Sequence, residues 1–320
     1  MSQKFTLNNE RAGYQLFIFF SFSFVSFCIG SLIGILLLQP LFEISMFANP
    51  LLLQDLQNPK TVDALRFLQL VQSIFLFIVP TIFFYKIQSS KSTSYSWFQH
   101  QVSLITILCL ITLMIAWLPI TDFTASLNKQ IQIPDLFKDI EIWMKEKEML
   151  AENLTKALLK MSSIAEFLYV LILVAILPAI GEELFFRGTL QPLLSRLVKN
   201  PHVGIWITAI IFSAIHFQFY GFLPRMLLGA VFGYLFYWSG NIFLPTIGHF
   251  INNGAAVIAS YFYQQQNPEK ILDDVSNASL TQVIGGFAFA IPLLYYFYQN
   301  RTKTTSIYQQ TKNEYGTRLG

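Results

Sequence analysis

The sequence predicts an all-α, polytopic membrane protein with about eight transmembrane helices. Of its 320 residues, 54% are hydrophobic and 12% are charged, whereas about a quarter of the residues in a typical soluble domain are charged. Several apolar runs reach the roughly 20 residues that a helix needs to cross a bilayer. Since backbone groups surrounded by lipid must pair with one another, each run is expected to be a helix.

Eight candidate spans follow one another and form a single predicted transmembrane domain, residues 1–300. The spans cover residues 14–38, 65–86, 103–121, 165–190, 203–218, 222–238, 242–263 and 280–299. The connection 39–64 contains three prolines and is expected to be irregular. A polar tail, residues 301–320, is expected to lie in the cytoplasm.

The charge and the cysteines exclude two classes of protein. A net charge of +3, with no basic tract interleaved with aromatic residues, does not fit a nucleic-acid partner. Cys28 and Cys109 both fall inside apolar runs, so neither a disulfide framework nor a Cys-x-x-Cys metal site is available. The partner that the composition indicates is the lipid bilayer.

The connection 122–164 is predicted to contain an amphipathic helix. From Leu136 to Met161, apolar residues recur at helical spacing, and Lys and Glu occupy the opposite face. Such a helix is expected to lie in the membrane interface. Two interpretations stay open: an ordinary connector, or a lid over a site in the bilayer.

The basic residues predict the orientation of the chain in the membrane. They are concentrated in the segments on the side of the N-terminus, and cytoplasmic loops carry an excess of Lys and Arg. We therefore expect a multi-pass protein of the cell (inner) membrane with both termini in the cytoplasm. Arg225, near the end of a span, is expected to extend its long side chain to the interface.

Three ionisable residues, Glu182, Glu183 and Arg187, follow the apolar run 167–180. Ionisable groups inside a membrane helix are costly and by default indicate a functional site. Glu183 and Arg187 are four residues apart and can pair on one helix face. Glu182 points about 100° away and has Phe186 at the position where a cation would pair with it, so its carboxylate needs a partner on another helix.

Two later segments carry polar groups that can meet these carboxylates. Phe212 and His216 are four residues apart and share a helix face, so Phe212 can wall off one side of a pocket. His249 and Asn253 share a face in the same way. Together with Glu182, these groups are expected to converge in the folded bundle.

Counting from the expected span ends indicates the depth of this convergence. At 1.5 Å per residue, Glu182 lies about 12 Å deep, His216 about 20 Å and His249 about 10 Å from the same face. That face is the one formed by the connections 191–202 and 239–241. On the predicted orientation it is the cytoplasmic face.

The combination of residue types predicts activation of water for attack on an amide carbonyl. Glu182 with His216 forms a plausible water-activating couple, since a desolvated carboxylate becomes a better general base. His249 and Asn253 are then left as donors to the developing oxyanion. Each residue alone also has a structural interpretation, because Glu183 and Arg187 can be a buried pair and Asn253 can join two helices.

Taken in order, these motifs resemble the CPBP family of intramembrane proteases, which includes CAAX prenyl proteases and the bacteriocin-processing or self-immunity (Abi) proteins. The resemblance covers Gly181 to Ala256 and is carried by Glu182, Glu183, Arg187, Phe212, His216, His249 and Asn253. It implies an eight-helix fold with a protease core at about 165–263. It also implies endopeptidase activity in the membrane on a membrane-embedded or prenylated (CAAX-type) substrate, with Glu182 and His216 activating water and His249 and Asn253 stabilising the oxyanion.

Metal dependence stays open at this point. The family is often described as metalloproteases, but the sequence has no His-Glu-x-x-His zinc motif. Carboxylates and imidazoles are valid zinc ligands, and the possible set is Glu182, Glu183, His216 and His249. Because Arg187 would already pair with Glu183, chemistry without a metal or other cofactor is the preferred interpretation.

Two other function classes fit the same composition. Buried Glu, His and Arg can form the relay of an ion- or proton-coupled transporter, although the sequence shows no pair of broken-helix repeats. A non-catalytic membrane partner, such as a self-immunity protein, is the other alternative. Cleavage of peptides by the purified protein distinguishes both from a protease.

Overall fold

The computed structural model describes residues 12–45, 53–88, 97, 102–131, 133–267 and 278–301, and within these ranges the chain forms nine helices and no strand. The helices are α1 (Ala12–Phe42), α2 (Pro59–Ile87), α3 (Leu104–Lys129), α4 (Lys138–Leu158), α5 (Ile164–Leu197), α6 (Pro201–Ala214), α7 (Phe222–Ser239), α8 (Phe243–Gln266) and α9 (Leu280–Gln299). Apart from Arg301, the predicted polar tail lies outside the described residues.

The eight predicted spans coincide with α1, α2, α3 and α5 to α9, and α4 is the predicted amphipathic helix. Among the described residues, α1, α2, α3, α5 and α9 are long and apolar enough to cross a membrane by length and composition. Helix α6 has only 14 residues, while α7 and α8 are made more polar by Arg225, His249 and Asn253. The all-α, polytopic class is confirmed, and the count of eight spans stays a prediction.

Two helix boundaries differ from expectation. Helix α1 continues through Pro40 to Phe42, and α2 begins at Pro59, where the Asn58 side chain accepts the Lys60 N–H, so the connection 39–64 is largely helical at both ends. A proline is compatible with the first turn of a helix because its missing N–H has no intrahelical partner there. The same arrangement starts α6, where Pro201 follows the cap Asn200.

Helices α5 and α7 run parallel and are joined side by side by buried polar contacts. Arg187 Nη2 donates to Gly229 O (2.9 Å), and Gln191 Nε2 donates to Gly233 O (3.1 Å), four residues further along both helices. Helix α6 returns antiparallel between them. It packs so closely on α5 that a Cβ added at Gly204 would lie 2.2 Å from Ser195 Oγ.

Helices α2 and α5 widen locally into three π-helical turns. These are residues 74–78 in α2, and 171–176 and 186–190 in α5. Such turns are rare in proteins overall, and those that occur are often found at functional sites. In each one a backbone carbonyl accepts a hydrogen bond from a side chain on another part of the chain. The donors are Ser26 to Phe75 O, Asn253 to Val174 O and Trp97 to Gly188 O.

The bundle has two faces, which we call the terminal face and the α4 face. The terminal face holds both described chain ends, because Arg196 Nη1 donates to Gln15 Oε1 (3.0 Å) and Trp238 packs on Tyr298 (5.9 Å between rings). It also contains the connections 198–200 and 240–242. Helix α4 and the connection 215–221 lie at the opposite face.

Candidate active site

Glu183 is the centre of a buried polar cluster that joins α5 to α8. Its Oε1 accepts from Arg187 Nη1 (2.7 Å) and from His249 Nδ1 (2.9 Å). Because an ionised carboxylate can only accept hydrogen bonds, Nδ1 of His249 carries a proton. Glu183 and Arg187 are 0% exposed and His249 is 4% exposed. The ion pair that the four-residue spacing predicts is therefore formed, and it also orients an imidazole.

Aromatic rings enclose the Arg187 guanidinium. Its carbon lies 4.6 Å from the ring centroid of Phe212, 5.5 Å from that of Phe232 and 5.9 Å from that of Phe186. A guanidinium over the face of an aromatic ring is attracted by the ring quadrupole, and more strongly where water is excluded. The Phe232 ring also stacks on His249 at 5.4 Å. The rings thus hold the ion pair and the imidazole in one arrangement.

Asn253 extends the cluster toward the start of α5. Its Nδ2 donates to Val174 O (3.1 Å), a carbonyl in the first π-helical turn of α5, and lies 3.2 Å from His249 Nε2. Since Nδ1 of His249 is protonated toward Glu183, Nε2 of the neutral ring is free to accept from this amide. Asn253 therefore links the imidazole to the backbone of α5.

Glu182 differs from its neighbour Glu183 in exposure and in hydrogen bonding. It is half-buried, and in the described part of the chain it has no hydrogen bond. The cations within electrostatic range of its carboxylate are Arg187 and Arg225, and His249 lies within range as well. A carboxylate with unused acceptor capacity beside several positive groups is available to bind water and to accept a proton.

His216 follows α6 rather than lying within it, which corrects the predicted span 203–218. The helix ends at Ala214, and the chain turns through Phe217, whose φ is 52°. His216 Nδ1 donates to Phe212 O (2.8 Å), and the two rings are 5.3 Å apart. This bond fixes the tautomer and leaves the lone pair on Nε2 free to take a proton.

The depth of the site differs from the prediction. Helix α5 continues past residue 190 to Leu197, so Glu182 is 15 residues, about 22 Å, from its terminal-face end rather than about 12 Å. Arg225 is 14 residues, about 21 Å, from the same end of α7. His249 agrees with the prediction, because it lies six residues, about 9 Å, from the terminal-face end of α8 at Phe243. The polar groups therefore extend from this depth toward the connection 215–221, which contains His216 and contacts Arg225.

Three polar residues hold this connection in place, and none of them was predicted from the sequence to be a site residue. Asn128, at the end of α3, donates to Phe219 O (2.7 Å) and accepts from Leu223 N (2.9 Å). Glu148 of α4 accepts from Tyr220 N (3.2 Å). Arg225 Nη2 donates to Gln218 Oε1 (2.6 Å), so its guanidinium contacts this connection. The signal in the sequence that could have found Asn128 is an amide side chain inside a mostly apolar helix.

The residues that could hold a metal ion do not fit one. Glu183 Oε1 is already bound by Arg187 and His249, and Nδ1 of His249 is directed to that carboxylate. No group of three or more His, Cys, Asp or Glu side chains converges as metal ligands within the described ranges. The metalloprotease interpretation is therefore not supported.

Comparison with known proteins places the site in a family. Residues 164–255, which contain all the residues of the polar cluster, match the family model of type II CAAX prenyl endopeptidase Rce1-like proteins. This segment is Rce1-like. The resemblance to the CPBP intramembrane proteases is confirmed at this level, and a protease family indicates peptide hydrolysis in general.

A curated relative matches part of the chain. The uncharacterized protein YpbD of Bacillus subtilis (strain 168) is 33% identical over 85 residues, which are 25% of this chain. The chain covers 40% of the length of that relative. No solved structure matches.

Proposed function

We propose that this protein is an intramembrane endopeptidase that hydrolyses a peptide bond of a membrane-associated or prenylated, CAAX-type substrate. The observation that carries the proposal is the convergence of Glu182, Glu183, His216, His249 and Asn253 from three segments inside the Rce1-like region. Scattered polar groups in apolar helices would each need a separate partner. Groups that meet around a carboxylate with free acceptor capacity form a site for a polar reaction.

Glu182 is the proposed general base. Water bound to its carboxylate loses a proton to it, and the water oxygen bonds to the carbonyl carbon of the scissile amide. The proton then passes to the amide nitrogen as the carbon–nitrogen bond breaks, which releases the amine and leaves the new carboxylic acid. His216, with Nε2 free, shares the proton during this transfer.

His249 and Asn253 are the proposed oxyanion donors. In the arrangement described here, Asn253 Nδ2 is directed to Val174 O and to His249 Nε2, so neither residue has an N–H to spare. Opening of the contact between these two residues would free one N–H of Asn253 to donate to the oxyanion. His249 can donate from Nε2 as well only when both of its ring nitrogens carry protons. Donors directed at a developing negative charge stabilise the transition state more than the ground state.

The proposed location is the cell membrane with both termini in the cytoplasm. On this orientation the connection 215–221 and α4 lie at the other side, because both described chain ends are at the terminal face. The orientation of the chain in the membrane therefore determines from which side a lipidated or membrane-embedded peptide reaches Glu182.

The first prediction tests Glu182 and His216 by peptide cleavage in detergent micelles. We expect Glu182→Gln and His216→Ala to lower the cleavage rate about 10²–10⁴-fold, because a general base or its partner is lost. Asn253→Ala should lower it about 10²–10³-fold. The substrate is a fluorogenic peptide ending in S-farnesyl-Cys-Val-Ile-Ser, and cleavage products are identified by mass spectrometry.

His202→Ala is the matched control, since His202 contacts Tyr234 at the terminal face and is outside the polar cluster. This variant should cleave at the native rate. A folded Glu182→Gln protein that cleaves as fast as the native one would exclude the proposed chemistry. Chelator treatment should leave the native rate unchanged.

A further inference from the structure

Arg225 is a largely enclosed cation beside the active site that the proposed chemistry does not use. It lies in the first turn of α7, and its Nη2 donates to Gln218 Oε1. Its Nη1 is buried and has no hydrogen-bond partner among the described residues. The carboxylates within electrostatic range are Glu148 and Glu182, and neither forms an ion pair with it.

A guanidinium in this position has unused binding capacity. Arginine carries five N–H donors and keeps its charge in proteins, so Arg225 cannot relieve an unsatisfied position by losing a proton. A buried donor without a partner is costly, and more so when it is charged. Because Glu182 and Glu148 remain at a distance, a group brought in from outside the chain is the natural partner for Nη1.

We propose that Arg225 binds the free C-terminal carboxylate of the peptide substrate, an inference that rests on the function proposed above. The planar guanidinium matches a carboxylate through two parallel hydrogen bonds. In a membrane protein, a carboxylate could approach Glu182 only if a cation offset their repulsion. Arg225 is within electrostatic range of Glu182 and of His216, so it is a cation that can offset this repulsion.

The consequence is a specificity rule for the enzyme. With the base and the carboxylate-binding cation so near each other, the bond that is cut must lie within a few residues of the substrate C-terminus. An internal peptide segment crossing the same site would offer Arg225 no charge. Arg225 therefore acts as a substrate-binding residue that selects chain ends.

Two peptides of identical sequence test this role. One ends in S-farnesyl-Cys-Val-Ile-Ser with a free carboxylate, and the other carries the same residues with a C-terminal amide, which removes the charge. We expect the native protein to bind and cleave the free acid about 10–100-fold better, as for hydrogen bonds to charged groups. Arg225→Gln should lose this preference by weakening only the acid, and Arg225→Lys should keep part of it.

Arg196→Gln is the matched control, because Arg196 bonds to Gln15 at the terminal face and its removal should leave the preference intact. Fluorescence anisotropy of labelled peptides measures binding separately from cleavage, so it decides the role of Arg225 even where no peptide is cut. Equal binding of acid and amide by the native protein overturns the inference. An equal loss of binding of both peptides in Arg225→Gln also overturns it. So does full recovery of binding by the amide peptide when an internal Asp is added to that peptide.

Discussion

Glu182 and Glu183 are adjacent carboxylates with different surroundings. Glu183 binds two basic side chains through Oε1, whereas its Oε2 and the Nε of Arg187 are buried and have no hydrogen-bond partner among the described residues. The position of the two side chains in the bundle therefore holds the ion pair, although not all of its polar atoms are satisfied. Glu182 is half-buried and has no hydrogen bond in the described chain, so its carboxylate is the one of the two that is free to bind water.

Replacing Arg187 should therefore destabilise the fold far more than replacing Glu182. Removing one partner of a buried ion pair typically costs about 3–5 kcal/mol in the free energy of unfolding, because the other charge is left alone. We expect Arg187→Ala to show this loss in thermal unfolding in detergent, with Glu182→Ala as the matched control near native stability. Equal and small losses would contradict a buried ion pair.

At the scale of the helices, α4 is fixed at its C-terminal end and contacts the connection 215–221 through Trp143 and Glu148. Arg66 Nη2 and Gln264 Nε2 donate to Leu158 O (3.0 Å) and Leu159 O (2.9 Å), which ties the C-terminal end of α4 to α2 and α8. Nearer its start, the Trp143 ring packs on Phe219 at 5.3 Å. This geometry favours the lid over the connector among the two interpretations of the amphipathic helix.

Joining α4 to the connection 215–221 should block the reaction. In a protein whose native cysteines are replaced by Ser, Trp143→Cys and Phe219→Cys can be linked by a short bismaleimide. We expect the linked protein to lose peptide cleavage, since a lid must move to admit substrate. Each single-cysteine variant with the same reagent is the control, and unchanged cleavage after complete linking would show that α4 is an ordinary connector.

Spacing along the sequence was sufficient for the contacts that a regular helix determines. The four-residue intervals predict the pairing of Glu183 with Arg187, and apolar periodicity predicts α4. The bond from Asn253 to Val174 O could not be predicted from the sequence. It depends on a carbonyl in a π-helical turn, and no periodic pattern marks that turn. The bond from Arg225 to Gln218 could not be predicted either, because Gln218 lies in a connection without helical periodicity.

At the scale of the whole molecule, the described contacts place both described chain ends at one face, in agreement with an even number of predicted spans. Reporter fusions after residue 300 and at residue 199 should therefore report the same side of the membrane. A fusion within 130–137, between α3 and α4, should report the other side. If the fusions at 300 and 130–137 agree, the predicted layout is wrong.

The three π-helical turns also have a consequence for how this sequence can change. Each such turn holds one residue more than the α-helix around it, so removing a residue there rotates everything on one side by about 100° relative to the other. The turns at 171–176 and 186–190 enclose Leu177–Phe185, which carries both carboxylates. A one-residue deletion in either turn would leave the helix continuous but would rotate the carboxylates by that angle relative to the part of α5 beyond the turn. Glu183 could then no longer meet His249 of α8 while both parts of α5 kept their present lipid-facing sides.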